Sequence, residues 1–313
     1  MEFKNEMRIF IVLFALFCSV QLRAANITFK DTNVKALCVG QWDTDDDGEL
    51  SKDEAKVVTS LGKVFCEKTN IETFDELQYF TGLTSIDDSA FYKSSIKSVT
   101  FPKTVTSIGE YAFSQSSISG ELHIPGTVKS IGQYAFNSCQ QLNFIVLEEG
   151  VQTVGQHCFS GPISTLTLPA SLSYLDALVI DPYINAYPGT GVFVPEGDLT
   201  VVMNSMIPPM VHNYAFYYIF GFAHLIVPFG CVEAYKADYG WSRFGEYLEA
   251  GDVNGDGQLN VKDVTSMNAY IMKNNPTPFD ERVADLNGDG TINVKDVTLM
   301  CSWIMQQGQQ QEQ

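Results

Sequence analysis

The chain has 313 residues and a formal net charge of -18, from 37 acidic and 19 basic side chains. A surface this acidic repels nucleic acids and acidic membranes, which argues against a nucleic-acid-binding protein. Hydrophobic residues make up 45% and charged residues 18% of the chain, so it is globular rather than broadly disordered. At this length we expect two or three domains.

Residues 1–24 have the pattern of a secretory signal peptide. Lys4 and Arg8 precede an apolar run from Ile9 to Val20, and Ala24 offers a cleavage position. The run is shorter than the roughly 20 residues that a membrane-spanning helix needs. We therefore expect an exported protein without a transmembrane segment, either secreted or held at the bacterial cell surface.

Six cysteines follow the signal peptide, and none has the two-residue spacing of a zinc or redox motif. Their density is too low for a disulfide scaffold, so we expect mostly buried free thiols, and disulfide formation on export stays open. The six are Cys38, Cys66, Cys139, Cys158, Cys231 and Cys301.

A repeat of 22 to 23 residues occupies the middle of the chain. The phrase Ile-x-x-x-Ala-Phe occurs three times, a variant of it follows, and a short alternating strand accompanies each unit. One such unit cannot bury its apolar edge alone, so the pattern predicts a solenoid with one strand per repeat and one internal column of phenylalanines. The column consists of Phe91, Phe113, Phe136 and Phe159.

The repeat resembles the BspA-like class of leucine-rich repeat, whose unit reads roughly Leu-x-x-Ile-x-Leu-Pro-x-x-Val-x-x-Ile-Gly-x-x-Ala-Phe. The segment from Thr100 to Phe113 follows that unit almost residue for residue. The resemblance is specific over residues 84–180 and looser to about 250, where Val232 to Lys236 is predicted to form a short helix in a closing cap. It implies a solenoid over residues 83–250.

An acidic segment from Asp43 to Glu54 fills a 12-residue calcium loop. Such a loop supplies oxygen ligands from positions 1, 3, 5, 7 and 12 and needs glycine at position 6. Helices are predicted on both sides, so residues 25–82 are expected to form an EF-hand-like helical cap, and a solvated acidic turn is the alternative. The predicted ligands are Asp43, Asp45, Asp47, the backbone carbonyl of Glu49, and Glu54.

Two further 12-residue loops begin at Asp252 and Asp285, and each precedes a predicted helix with apolar residues at three- to four-residue spacing. The combination resembles the type I dockerin module, over residues 251–306. That resemblance implies two more calcium ions, which makes three in the chain. The implied ligands are Asp252, Asn254, Asp256, Gln258 and Asp263 in one loop and Asp285, Asn287, Asp289, Thr291 and Asp296 in the other.

The dockerin resemblance also implies docking to a cohesin-like partner through loop positions 10 and 11. These are Val261 and Lys262 in one copy and Val294 and Lys295 in the other, and their identity is consistent with a pseudo-twofold surface that docks in either orientation. The family more often has small hydroxyl residues there. The alternatives are that the valines only pack and the lysines are solvated, or that the module binds within its own chain or caps the solenoid.

Two surfaces of the solenoid are candidate sites for a host protein or a glycan. One is the outward face of the strands, where Phe144 is unexpected and Thr167 also lies. The other is a column two residues before each internal phenylalanine, in which Tyr111, Tyr134 and His157 recur and are suited to stacking against sugars or peptides. Plain surface cover is the alternative interpretation of both.

No arrangement of residues in the sequence indicates an enzyme. The four histidines fall in different repeats and have no metal-ligand spacing. We therefore predict an α+β, calcium-binding, non-catalytic protein that acts by ligand binding or adhesion. The alternative is an accessory component of a polysaccharide-degrading cohesin–dockerin assembly. Residues 307–313 are predicted to be disordered.

Overall fold

The computed structural model describes residues 24–180, 199–217, 219, 223–287 and 290–310. The signal peptide predicted over residues 1–24, apart from Ala24, lies outside the described residues, and so does the predicted ligand Asp289. No helix among the described residues is long and apolar enough to cross a membrane.

Two short helices flank the first acidic loop. Helix α1 (Thr32–Trp42) begins at Asp31, whose carboxylate accepts hydrogen bonds from the backbone N–H groups of the first turn. Helix α2 (Lys52–Val57) begins at Ser51, which forms a capping box with Glu54. The backbone is extended after Val57, so the second helix is one turn long.

Two parallel sheets of six strands each run along the solenoid. The two-residue strands of one sheet are β2 (Ser85–Ile86), β4 (Ser107–Ile108), β6 (Ser130–Ile131), β8 (Thr153–Val154), β10 (Tyr174–Leu175) and β12 (Met210–Val211). The longer strands of the other are β5 (Ser119–Ile124), β7 (Gln141–Leu147), β9 (Thr165–Leu168), β11 (Thr200–Met203), β13 (His224–Pro228) and β14 (Glu246–Ala250). At the N-terminal end, β1 (Thr73–Phe74) pairs with β3 (Ser98–Val99).

Neighbouring strands in each sheet come from successive repeats, as a solenoid requires. From the repeat that contains Leu122 onward the predicted strand is the longer one, whereas the strand predicted at Val99 is the two-residue β3. The structure adds a second strand of only two residues, which is too short for alternation to be recognised in a sequence.

The phenylalanine column confirms the predicted phase of the repeat. Ring centroids are 4.8 Å apart between Phe91 and Phe113, 5.1 Å between Phe113 and Phe136, and 5.8 Å between Phe136 and Phe159. All four side chains are fully buried. Phe65 extends the column because its ring stacks on Phe91 at 5.2 Å.

The described residues form two hydrophobic clusters. The larger runs from Ile27 in the N-terminal segment through the whole solenoid to Phe244. The smaller belongs to the C-terminal module, and the solenoid contributes Ile226 and Ala250 to it. The N-terminal segment therefore shares the solenoid core, whereas the C-terminal module has a core of its own.

The C-terminal region follows the predicted order of loops and helices. Helix α3 (Val232–Ala237) precedes β14, and each of the last two acidic loops leads into a helix, α4 (Val261–Ile271) and α5 (Val294–Gln310). Helix α5 continues past residue 307, where disorder was predicted, because glutamine is a good helix former. Residues 311–313 lie outside the described residues.

The six cysteines are free thiols, as predicted. Four are buried and two are half-buried. Burial raises the pKa of Cys38 and Cys158 well above the ordinary thiol value and that of Cys139 to about 11. Because the thiolate is the reactive form, these groups are inert in the folded protein.

Candidate calcium loops and binding surfaces

All three acidic loops close through the same hydrogen bond. The backbone N–H at position 6 donates to the carboxylate at position 1, and glycine at position 6 permits the positive φ that this turn needs. The donor and acceptor pairs are Gly48 and Asp43 at 2.9 Å, Gly257 and Asp252 at 2.8 Å, and Gly290 and Asp285 at 2.8 Å.

Position 12 is held in the same way in all three loops. Its carboxylate accepts a hydrogen bond from the backbone N–H at position 9, over 2.8 Å for Glu54, 2.9 Å for Asp263 and 2.8 Å for Asp296. The same carboxylate also reaches back across the loop, to Thr44 in the first and to Leu286 in the third. The carboxylates at the first and last ligand positions are therefore both tied to the backbone of their own loop.

The first loop is suited to a cation. Asp43, Asp45 and Asp47 each offer an oxygen within 4.8 Å of the others. Oδ1 of Asp43 is buried and has no hydrogen-bond partner among the described residues. An unpaired buried acceptor is costly, and a cation bound by these oxygens removes that cost.

Glu54 carries a negative charge under almost all conditions. Burial alone raises the pKa of this carboxyl, but hydrogen bonds from Ser51 and Thr44 outweigh that effect and lower the pKa to about 2. A fixed carboxylate at position 12 is what a calcium loop requires.

In the second loop, the buried carboxylate of Asp263 needs a positive charge nearby. Asp263 is fully buried, and burial, together with the negative charges of Asp252 and Asp256, raises its pKa. Part of that charge is balanced by Lys262, whose ammonium lies 3.0 Å from Asp256. Asn254 and the exposed Gln258 occupy positions 3 and 7, where neutral ligands were predicted.

The third loop repeats this arrangement as far as it is described. Asp296 is fully buried and accepts hydrogen bonds from the backbone N–H groups of Leu286 and Asn287. Asn287 and the exposed Thr291 occupy positions 3 and 7. All three loops thus carry the oxygen ligand types that calcium prefers, and among the described residues the three carboxylates that lie within 4.8 Å of one another are those of the first loop.

The two valine–lysine pairs lie at the first turn of helices α4 and α5. Val261 is 70% exposed and Val294 is 68% exposed, so neither valine packs in a core. Lys262 and Lys295 are exposed as well. The backbone is matched too, since Asn260 caps α4 and Asn293 caps α5, each through a 2.9 Å bond to the following lysine N–H.

The C-terminal module also packs against its own solenoid. In the long-stranded sheet, Val202, Ile226 and Leu248 lie in register on neighbouring strands and contact the core of the module. Ile226 is only 2% exposed as a result. The continuous apolar run Leu225-Ile226-Val227 was the sequence signal, because a strand buried on both faces loses its alternation.

A cluster of charges strengthens this contact. Glu246 of strand β14 lies 2.6 Å from Nδ1 of His224 and 2.8 Å from the guanidinium of Arg282 in the module. Arg282 also pairs with Asp280. Asp280 and Glu246 together raise the pKa of Arg282 above its ordinary value.

The uncovered part of the strand face meets the module at a cleft of about 240 Å³. Phe144 lies beside it and is 47% exposed. Thr167 was expected to be an exposed position, but it is only 3% exposed because it lies at the base of this cleft.

The predicted aromatic column is present. The rings of Tyr111 and Tyr134 stack at 4.8 Å, and those of Tyr134 and His157 at 5.0 Å. Because the ring faces cover one another, the column presents mainly ring edges, and Tyr111 is 37% exposed. All three residues have positive φ, which aims each side chain along the same edge of the solenoid.

Sequence reasoning missed a further member of this edge. Tyr214 precedes Phe216 by two residues, as Tyr111 precedes Phe113, so the Ala-Phe pair was the available signal. Leu178 holds the corresponding place in the preceding repeat. A cavity of about 450 Å³ lies between Leu178, His212 and Tyr214.

Comparison with protein families gives two matches. Residues 59–180 match the BspA type leucine rich repeat region in six copies, and residues 250–303 match the dockerin type I domain. The chain therefore contains a BspA-type leucine-rich repeat region and a type I dockerin domain, and neither is a catalytic domain. The first copy begins before residue 83, the predicted boundary, in agreement with the position of Phe65 in the column.

Among solved structures, the crystal structure of the pneumococcal vaccine antigen PcpA is similar to this chain, at 16% sequence identity and a TM-score of 0.33. The alignment covers 47% of this chain and 43% of that chain, so this chain spans less than half the length of that protein. Comparison with curated proteins gives no match.

Proposed function

We propose that this protein is an exported, non-catalytic, calcium-binding protein whose solenoid binds a ligand and whose dockerin domain attaches it to a cohesin-like partner. The observation that carries the proposal is the pair of equivalent, exposed valine–lysine positions at the starts of α4 and α5. Exposed apolar side chains rimmed by charge are typical of protein–protein interfaces.

Calcium is proposed to bind at three sites. Asp43, Asp45, Asp47, Glu49 and Glu54 form the first, which we assign to an EF-hand-like cap over residues 25–82. The dockerin loops form the other two. Support comes from the shared hydrogen bonds of the three loops and from the orphaned oxygen of Asp43.

The proposed docking surface consists of Val261, Lys262, Val294 and Lys295. The module contacts its solenoid through other residues, so this surface is compatible with a partner binding while the module stays in place. Internal packing and partner binding are therefore not alternatives but occur on different faces.

Docking is tested with the chain from residue 25 onward and a panel of type I cohesin modules, by calorimetry with calcium and with chelator. We expect calcium-dependent binding that the double variant Val261→Asp with Val294→Asp weakens at least about tenfold, since central interface residues contribute more than 1 kcal/mol each. The matched control is Val57→Asp, another valine that is 70% exposed but lies in the N-terminal segment. Absence of binding to every cohesin in calcium would contradict docking.

A second candidate function is favoured by the dockerin match. Such a domain suits an accessory component of a polysaccharide-degrading assembly. In that case the protein releases no sugar on its own but raises product release when it is docked beside a polysaccharide hydrolase on one cohesin scaffold. Product release by the isolated chain would contradict both non-catalytic functions.

A further inference from the structure

We propose that the cleft between the strand face and the dockerin domain binds a single neutral sugar residue of a glycan. The inference rests on the proposed ligand-binding role of the solenoid and assigns that role to one site. It commits to the strand face rather than to the tyrosine column.

One row of side chains on neighbouring strands lines the cleft. In this row the parallel register joins Glu121 to Phe144, Phe144 to Thr165, and Thr165 to Thr200. In-register side chains of a parallel sheet lie on one face about 4.8 Å apart. The row therefore places one aromatic ring, two hydroxyls and one carboxylate along a line that a ligand of sugar size can contact together.

The chemistry of this row suits a pyranose ring. A sugar has an apolar face that stacks on an aromatic ring and an edge of hydroxyl groups that need donors and acceptors. Phe144 offers the aromatic surface, while threonine hydroxyls and Glu121 offer the polar groups. The volume of about 240 Å³ is below the range of about 300–1,000 Å³ for drug-sized ligands, which favours a single sugar residue.

The charges around the cleft disfavour an acidic ligand. Glu121 and Asp285 line it, and Oε1 of Glu121 lies 3.0 Å from Nε2 of His123. The one cationic side chain among the described lining residues, Arg282, is already bonded to Asp280 and Glu246. An acidic ligand therefore finds no cation among these lining residues that is not already paired with a carboxylate, whereas a neutral sugar needs none and can donate its hydroxyl protons to the lining oxygens. We therefore expect neutral glycosides to bind and glucuronic acid to be rejected.

The far wall of the cleft comes from the dockerin domain. Arg282, Asp285 and Gly290 line it, and the position where a Cβ would stand on Gly290 is 3.6 Å from Oε1 of Glu121. The matching glycine of the preceding loop, Gly257, has nothing comparable within 4 Å. Arg282, Asp285 and Gly290 thus close one side of the site, and the solenoid alone would leave it an open face.

The experiment is saturation-transfer NMR on the calcium-loaded chain from residue 25 onward, with methyl glucoside, methyl galactoside, methyl mannoside, N-acetylglucosamine and glucuronic acid as probes. We expect transfer to one or more neutral probes. Phe144→Ala should lower the affinity at least about fivefold, the size expected for a lost aromatic contact. Thr165→Val should weaken binding as well, and Tyr111→Ala, an exposed ring outside the cleft, should leave it unchanged.

The same sample is tested for cohesin binding, which separates this inference from the docking function. A sample that binds cohesin but shows no transfer to any neutral probe overturns the cleft proposal and leaves docking intact. Binding that survives Phe144→Ala and is lost with Tyr111→Ala also overturns it, because the ligand then lies on the tyrosine column. Binding that is lost with Phe144→Ala supports the proposal even where no cohesin binds.

Discussion

The two ends of the solenoid both carry acidic loops, yet they join it in different ways. At the N-terminal end, Phe65 continues the central column and Trp42 packs against Phe65, so the segment is part of the main core. At the C-terminal end, the dockerin domain has its own core and contacts the side of the last strands. The difference indicates that the N-terminal segment unfolds with the solenoid, whereas the dockerin domain can unfold by itself.

The largest expected effect is that of removing a column ring at the N-terminal end. Phe65→Ala should destabilise the solenoid by about 3–5 kcal/mol, because it leaves a cavity between Phe74 and Phe91. The matched variant Met300→Ala, in the core of the dockerin domain, should lower only that domain's unfolding transition. Calorimetry checks this, and a single shared transition that both variants shift equally would contradict two separate units.

Calcium should stabilise each end separately. At a free calcium concentration about 100 times the dissociation constant, one site contributes about 2.7 kcal/mol. Asp43→Ala should therefore lower the solenoid transition and Asp252→Ala that of the dockerin domain, each by up to this amount. In chelator both differences should shrink to the effect of the lost loop hydrogen bond. A difference of equal size with and without calcium would show that the carboxylate acted only through that hydrogen bond.

A smaller effect is expected at the cap of α1. Asp31 accepts hydrogen bonds from Asn33 and Val34 in the first turn and from Glu72 across the segment. Asp31→Ala should cost about 1 kcal/mol, seen as a lower solenoid transition, while Asp31→Asn should retain much of the cap.

This cap also predicts a pH dependence. Partial burial raises the pKa of Asp31, but the backbone N–H groups outweigh it and the pKa is lowered below the ordinary value. A lowered pKa stabilises the fold above the ordinary aspartate value and loses that effect as the pH falls through the lowered pKa. The difference in the free energy of unfolding between the protein and its Asp31→Ala variant should become smaller below about pH 4. A difference that does not change with pH would show that the charge of Asp31 is not its cause.

The smallest effect is expected at the charged contact of the dockerin domain. Glu246→Gln removes the charge between His224 and Arg282, and because these groups are partly exposed it should cost about 0.5 kcal/mol. Only the dockerin transition should move. Glu233→Gln, which removes an exposed pair with Lys236, is the control and should change neither transition.

Much of this molecule could be predicted from local sequence patterns. The spacing of Phe91 and Phe113 gave the phase of the repeat, and glycine at position 6 located the loops. Such signals are local because each loop and each repeat forms from adjacent residues. The ligands predicted for the first loop follow from the same spacing and those of the other two from the dockerin resemblance, and both the ligand sets and their occupation by calcium stay predictions.

The contact between the dockerin domain and the solenoid was not predictable in the same way. It joins Ile226 of the solenoid to residues far along the chain. It also depends on which of two exposed faces of the solenoid the domain covers. The sequence did leave open that the module binds within its own chain. The cleft beside Phe144 exists only because of that choice: its strand residues follow the repeat, but nothing in their spacing relates them to Arg282, Asp285 and Gly290 on the far wall.

The buried thiols allow the opening of individual parts of the molecule to be followed by chemical labelling. Cys139 and Cys158 lie within the solenoid, Cys38 lies in the N-terminal segment, and Cys301 lies in the last helix of the dockerin domain. A thiol reagent can reach the deeply buried ones only when the part around them opens. The chain therefore carries native chemical reporters of opening in the N-terminal segment and in the solenoid, and a mass-resolved labelling time course, with the half-buried Cys301 as the accessible reference, would show whether these two regions open together.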